Sequence, residues 1–341
     1  MSHRSTRQLP APVSTGSYLL EDRALNSSET AGPVWTITSY FTLDDPHGQK
    51  RRLRAFREFR KRLQAPLVAV EFSQDGSTFD LMADDAEIVL RVSGGAPLWQ
   101  KERLLNLAIQ ALPDSCDTVA WIDGDVVLAR DDWPSAARAA LDESRIVQLF
   151  QRVYFLEQDE LPLEAGPRHG TTELESIVCG LSAGTIPDEV FNYPAISQRF
   201  RCSPGFAWAA RRELLERHGL YDALILGGGD KAILSAACGQ APALVRTQSM
   251  SPAQARHYLR WAEAFAGDVG GRTGYIEGEA FHIWHGSIES RDYAGRYANF
   301  DRFGFDPLRD LTLTPSGAWG WGSSKPALQQ WARDYFEGRK R

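Results

Sequence analysis

Two carboxylates separated by one glycine, Asp123-Gly124-Asp125, follow the apolar run Val119-Ala120-Trp121-Ile122. Residues two apart in an extended chain face the same way. The carboxyl ends of strands in an open parallel sheet line a ligand crevice. Paired acids there suit a divalent cation bridging to a diphosphate; the plainer alternative is a surface turn whose aspartates cap backbone groups. Farther along, Phe281-His282-Ile283-Trp284-His285-Gly286 carries two histidines three apart, which reach one metal if the strand turns there. Imidazole, carboxylate and phosphate oxygen form a mixed set that manganese accepts well, whereas magnesium prefers oxygen alone.

Two more segments carry chemistry. In Leu226-Gly227-Gly228-Gly229-Asp230-Lys231 the glycines let the backbone pass close to a ligand. Asp230 is then either a helix N-cap or a general base presented at a cleft. Trp99-Gln100-Lys101-Glu102-Arg103-Leu104-Leu105-Asn106 opens a helix in which Lys101 shares a stripe with Leu105, Ala108 and Leu112 and so faces the sheet. Trp99, Arg103 and Asn106 share a different stripe. A lysine in a first turn opposes the helix dipole, which calls for a bound anion or a partnering carboxylate; the alternative is a snorkelling side chain.

The elements that must position these groups alternate. Strands are expected at 34–41, 66–72, 86–92, 118–128 and 146–156, and helices at 49–63, 98–112 and 133–141. A strand passes into a helix over 206–220, a short helix covers 231–238, a strand covers 279–284, and a last helix covers 325–336. This rhythm predicts an α/β fold, a mixed, mostly parallel sheet with helices on both faces. The stretch 157–200 lacks a clear period and is expected to be an irregular lid or acceptor loop. The ends of the first two strands, around Tyr40 and Glu71, are expected to cradle a base, and Trp208 is either a sugar platform or core.

Composition narrows the function. The 341 residues carry 38 basic and 44 acidic side chains, a net charge of −6, which argues against a role coating nucleic acid. Four scattered cysteines, no apolar leader and no long apolar run predict a reduced, cytoplasmic protein without a membrane span.

Taken in order, the four segments resemble glycosyltransferases of the type-A (GT-A, Rossmann-like) fold. They most resemble the inverting family of β-1,4-galactosyltransferases and chondroitin-polymerase-like enzymes, and are also similar to uncharacterised bacterial and phage transferases. The family's Phe-Asn-Arg-x-Lys-Leu-Leu-Asn helix is similar to 99–106, its Asp-Val-Asp to 123–125, its Gly-Gly-Glu-Asp to 227–230 and its Met-x-x-His to 282–285. Its Gly-Gly-Val-Ser segment and following Asn-Gly-Phe are similar to 204–208 and 218–220. The likeness spans roughly residues 34 to 300 and implies a metal-dependent inverting transfer from a UDP-sugar to a hydroxyl acceptor. It implies Asp125, His282 and His285 as ligands of Mn2+ (or Mg2+) and Asp230 as base. Tyr40, Glu71, Lys101, Arg103, Asp123, Gly228 and Gly229 would line the donor site. Gly229 stands where the family has glutamate, and His282 where it has methionine. The implied layout is a flexible tail at 1–32, a transferase domain at 33–310 and an extension with a terminal helix at 311–341. Rival readings are a non-catalytic nucleotide-sugar-binding protein and a sugar-nucleotide pyrophosphorylase. The latter needs a glycine-rich phosphate loop after the first strand, where Thr42-Leu43-Asp44-Asp45-Pro46 stands instead.

Overall fold

A computed structural model describes residues 32–42, 46–158, 160, 172–286 and 295–338. Runs rich in β-branched and aromatic residues form a central sheet of seven strands. Numbered along the chain, its members are β1 (Val34–Thr42), β2 (Leu67–Ser73), β3 (Ile88–Ser93), β4 (Thr118–Ile122), β6 (Ile146–Gln148), β10 (Ala207–Arg211) and β11 (Thr273–Tyr275). Their order is β11-β6-β10-β4-β1-β2-β3, with β10 antiparallel to both neighbours and the other pairings parallel. A second sheet, in the order β5-β12-β7-β8-β9, joins β5 (Val126–Leu128), β12 (Glu279–His282), β7 (Arg152–Phe155), β8 (Glu173–Ser176) and β9 (Cys202–Ser203). The hairpin of β13 (Leu311–Leu313) and β14 (Trp319–Trp321) stands apart from both.

Alternation along β2 shows that both faces of the sheet are covered. Val68 and Val70 pack in one core with Leu104, Leu105 and Ala108 of helix α2 (Lys101–Gln110). Leu67 and Ala69 pack in another with Phe56 and Phe59 of α1 (Pro46–Lys61) and Trp133 and Ala137 of α3 (Trp133–Glu143). Period-two side chains divided between two helical layers are the mark of a doubly covered sheet, so the expected α/β class is the observed one. The face bearing α2 also holds α6 (Arg212–His218), α7 (Gly229–Ala237) and α9 (Pro252–Val269). The basic run of α1 is its wet side, with Lys50, Arg54 and Arg57 exposed opposite buried Phe56 and Phe59.

Several expected boundaries change. The strand foreseen over 118–128 is two strands in different sheets, and 146–156 divides in the same way. The chain leaves the central sheet at the end of β4, so Asp123-Gly124-Asp125 is the turn between the sheets. A side chain at Gly124 would press within 3.1 Å of Phe56, which explains the glycine. The stretch 157–200 is not wholly irregular: it holds β8, α4 (Ile177–Ala183), a 3-10 turn (Asp188–Asn192) and α5 (Ile196–Phe200), each too short to express a period. Residues 161–171 of that stretch, and the tail before Gly32, lie outside the described residues. Between 241 and 269, where no element was foreseen, lie α8 (Ala241–Thr247) and the long α9. The latter is opened by the Ser251 hydroxyl, which accepts from the Gln254 amide at 3.1 Å.

From Gly32 onward the chain forms one compact unit. Its C-terminal part, with α10 (Pro307–Asp310), the hairpin and α11 (Pro326–Gly338), contributes Ala318, Leu328 and Ala332 to the same core as α2. Among the described residues no helix is long and apolar enough to cross a membrane. The four cysteines are free thiols.

Candidate active site

The register of β12 against β5 pairs His282 with Val126, and the Ile283 amide donates to the Asp125 carbonyl at 2.8 Å. The end of β12 is therefore tied to the turn that carries the paired aspartates. Asp125 Oδ2 lies 2.9 Å from His285 Nε2 and 3.8 Å from His282 Nε2. One ligand atom from each of the three residues lies within 4.8 Å of the others. One carboxylate oxygen and two imidazole nitrogens so converged fit a transition-metal cation that accepts imidazole, such as Mn2+, better than Mg2+. Phe155 and Phe206 wall His282, with ring centroids 5.0 and 5.4 Å away. Phe206 holds a φ of 79°, a conformation costly for a bulky residue, while its carbonyl accepts from the Asp123 amide at 2.8 Å.

A second cluster adjoins the first. The Lys101 ammonium, on a residue only 8% exposed, lies 2.5 Å from Asp123 Oδ1 and 3.0 Å from Asp230 Oδ2. Burial works to lower its pKa, but Asp123, Asp230 and Glu102 outweigh burial and hold the amine well above its usual range. The lysine in the first turn of α2 thus has the carboxylate partners that its position demanded. Burial pushes the Asp123 carboxyl up to about 6 against the pull of Lys101. Asp230 sits in the first turn of α7, entered through Gly227 and Gly228 at φ 93° and 104°, values that favour glycine. Gly205 comes so near that a Cβ there would be 3.2 Å from Asp230 Oδ2, the oxygen that Lys101 also meets.

Glu102, beside Lys101, is 3% exposed, and burial raises its carboxyl to about 8. It packs directly on Gly229: a Cβ added there would overlap the carboxyl and lie 2.5 Å from Glu102 Cγ. Sequence reasoning passed over Glu102, because nothing local signals that α2 and α7 touch at that point.

At the ends of β1 and β2, Tyr40 pairs in register with Glu71. The fully buried Glu71 carboxylate turns to the backbone, accepting from the Leu81 amide at 3.1 Å, from the Asp80 amide, and from the Thr42 hydroxyl at 2.7 Å. Its oxygens fix the loop bearing Asp80. Asp80, which sequence reasoning missed, accepts from the Tyr40 hydroxyl at 3.1 Å and from Gln49. Burial and Asp80 both push the Tyr40 phenol far above its usual pKa.

One expected donor-site residue, Arg103, turns elsewhere, and the open reading of Trp208 resolves to core. Arg103 projects from the other stripe of α2, donating to the Gly317 carbonyl at 2.7 Å and pairing with Asp222 at 3.5 Å. Two residues along a helix turn a side chain by about 200°, so Arg103 cannot share the direction of Lys101. Trp208 is core, 1% exposed and stacked on Trp121 at 6.3 Å.

No family model matches the sequence, and no curated protein matches it. Solved structures give distant likenesses. S. aureus TarS aligns at 11% identity and a TM-score of 0.37, over 74% of this chain and 37% of that one. Glucosyl-3-phosphoglycerate synthase from Mycobacterium tuberculosis, solved with Mn2+, UDP and glucosyl-3-phosphoglycerate, aligns at 12% and 0.36, over 78% and 77%. Mannosyl-3-phosphoglycerate synthase from Rubrobacter xylanophilus aligns at 14% and 0.37, over 84% and 83%. The chain thus spans little more than a third of the TarS structure. Likenesses of this degree carry no weight for function, which rests on the residues themselves.

The two clusters meet at Asp123 and Asp125, two residues apart on one turn. One can hold a cation; the other presents a carboxylate beside a fixed positive charge.

Proposed function

We propose that the protein is a metal-dependent inverting glycosyltransferase of GT-A type, which moves a sugar from a UDP-sugar to an acceptor hydroxyl in the cytoplasm. One observation carries this reading. The Asp125–His282–His285 group and the Asp230 carboxylate, drawn from three distant segments, gather about the single turn at the carboxyl end of β4. A pyrophosphorylase has no need of a carboxylate presented on a glycine turn, and a binding protein has no need of a base.

In this reading Asp125, His282 and His285 hold Mn2+. When bound, the cation neutralises charge on the departing diphosphate. Tyr40 and Asp80 border the uridine, with Glu71 holding the Asp80 loop behind them. Lys101 keeps Asp230 Oδ2 in place, leaving Oδ1 to take the proton of the acceptor hydroxyl as it attacks the anomeric carbon. Attack from the face opposite the diphosphate inverts that carbon.

The test is UDP release from a panel of UDP-sugars with Mn2+, alongside calorimetry of UDP binding. Asp125→Ala should abolish Mn2+-dependent UDP binding. Asp230→Asn should cut turnover by at least about 10²-fold, the worth of a positioned base, and leave UDP affinity nearly intact. Full turnover by Asp230→Asn would remove the base assignment. Tight UDP binding without turnover of any donor would favour the binding-protein reading.

A further inference from the structure

Three consecutive residues at the start of α2 engage three different partners. Gln100, fully buried, exchanges two hydrogen bonds with the Trp319 backbone, its Nε2 donating to the carbonyl at 2.8 Å and its Oε1 accepting from the amide at 2.9 Å. Lys101 reaches Asp230. Glu102 lies against Gly229, the first residue of α7 and the immediate neighbour of Asp230. Successive side chains on a helix diverge by about 100°, so one turn grips the C-terminal hairpin, the proposed base and the start of the helix that carries it.

We propose that Glu102 is a positioning residue for Asp230: from α2 it fills the slot that Gly229 leaves open and thereby sets where α7 begins. This rests on Asp230 being the base. The slot is specific in shape, since any β-carbon at 229 would occupy the space of the Glu102 carboxyl. It is also closed, because Glu102 is 3% exposed and does not reach an acceptor in solution. The groups facing it are Lys101 on its own helix, Asp123 on the turn after β4, Asp230 on α7 and the Tyr297 phenol. Asp230 Oδ2 meets the Lys101 ammonium and the close approach of Gly205, while Glu102 packs on the neighbouring Gly229. A shift of the α7 start by about 1 Å would cost on the order of 10²-fold in rate, as misplaced catalytic groups do.

Glu102→Ala should lower kcat about tenfold or more while the Kd for UDP with Mn2+ stays within about twofold. Glu102→Gln, equal in shape, should keep kcat within about threefold of wild type. Gly229→Ala should damage kcat like Glu102→Ala. The double variant, whose new methyl enters the vacated space, should lose much less than the product of the two single losses. Amide exchange over 229–234, read without substrate, should speed about tenfold in Glu102→Ala and stay unchanged in Glu102→Gln. Unchanged kcat in Glu102→Ala, an equal loss of UDP affinity, or multiplicative single effects would each overturn the proposal. If wild type turned over no UDP-sugar the transferase reading would fall. Faster exchange in Glu102→Ala would still uphold the seating of α7, and unchanged exchange would still overturn it.

Discussion

Replacing Lys101 with methionine keeps an unbranched side chain one atom shorter and removes the charge that separates two carboxylates. The ion pairs measure 2.5 and 3.0 Å, so Asp123 Oδ1 and Asp230 Oδ2 lie at most their sum, 5.5 Å, apart. At that separation and an effective dielectric of about 20, two unit charges repel by about 3 kcal/mol. The same magnitude follows from breaking buried ion pairs, where loss of one partner costs about 3–5 kcal/mol. Urea unfolding of Lys101→Met at neutral pH should therefore show a loss of about 3 kcal/mol. Adding Asp230→Asn removes one of the repelling charges and should restore more than half of the loss. A single variant within about 1 kcal/mol of wild type, the range of a surface pair, would refute the electrostatic account. So would a double variant less stable than the single one.

Phe206→Gly should relax the backbone at φ 79° and strip a wall from His282. The melting temperature should hold within a few degrees while Mn2+-dependent UDP affinity falls about 10–100-fold, the usual worth of groups that orient metal ligands; undiminished affinity would remove Phe206 from that role. Burial and Arg296 push the Lys231 amine down to about 7, from 10.5 in the unfolded chain. Between those values the unfolded chain holds a proton that the folded one lacks, so this group makes stability rise with pH by up to about 1.4 kcal/mol per unit. Lys231→Met should flatten that rise in urea midpoints, and an unaltered slope would contradict the assignment.

Sequence reasoning served best where chemistry and periodicity coincided. The stripe of Lys101, Leu105, Ala108 and Leu112 does face the sheet, and the same arithmetic set Arg103 and Asn106 on another side, where both meet Asp222. Only the family likeness moved Arg103 to the donor site. Asp125, His282 and His285 were legible as a group because their types are scarce and their flanking runs read as strands. The division of 118–128 between two sheets was not legible, since an apolar run looks the same whichever sheet receives it. The long α9 has a helical stripe of its own, with Tyr258, Ala262, Phe265 and Val269 buried, and it escaped notice for want of any chemistry to draw attention there. Asp80 and Glu102 were beyond reach for a deeper reason: their roles arise from a loop folded back on Glu71 and from one helix meeting another.

The grip of Gln100 on Trp319 joins residues 219 positions apart. A ribosome therefore releases the helix that bears the proposed ammonium long before the backbone that anchors it. Until residues near 319 have emerged and folded back, Gln100 lacks both backbone partners that tie the first turn of α2 to the hairpin.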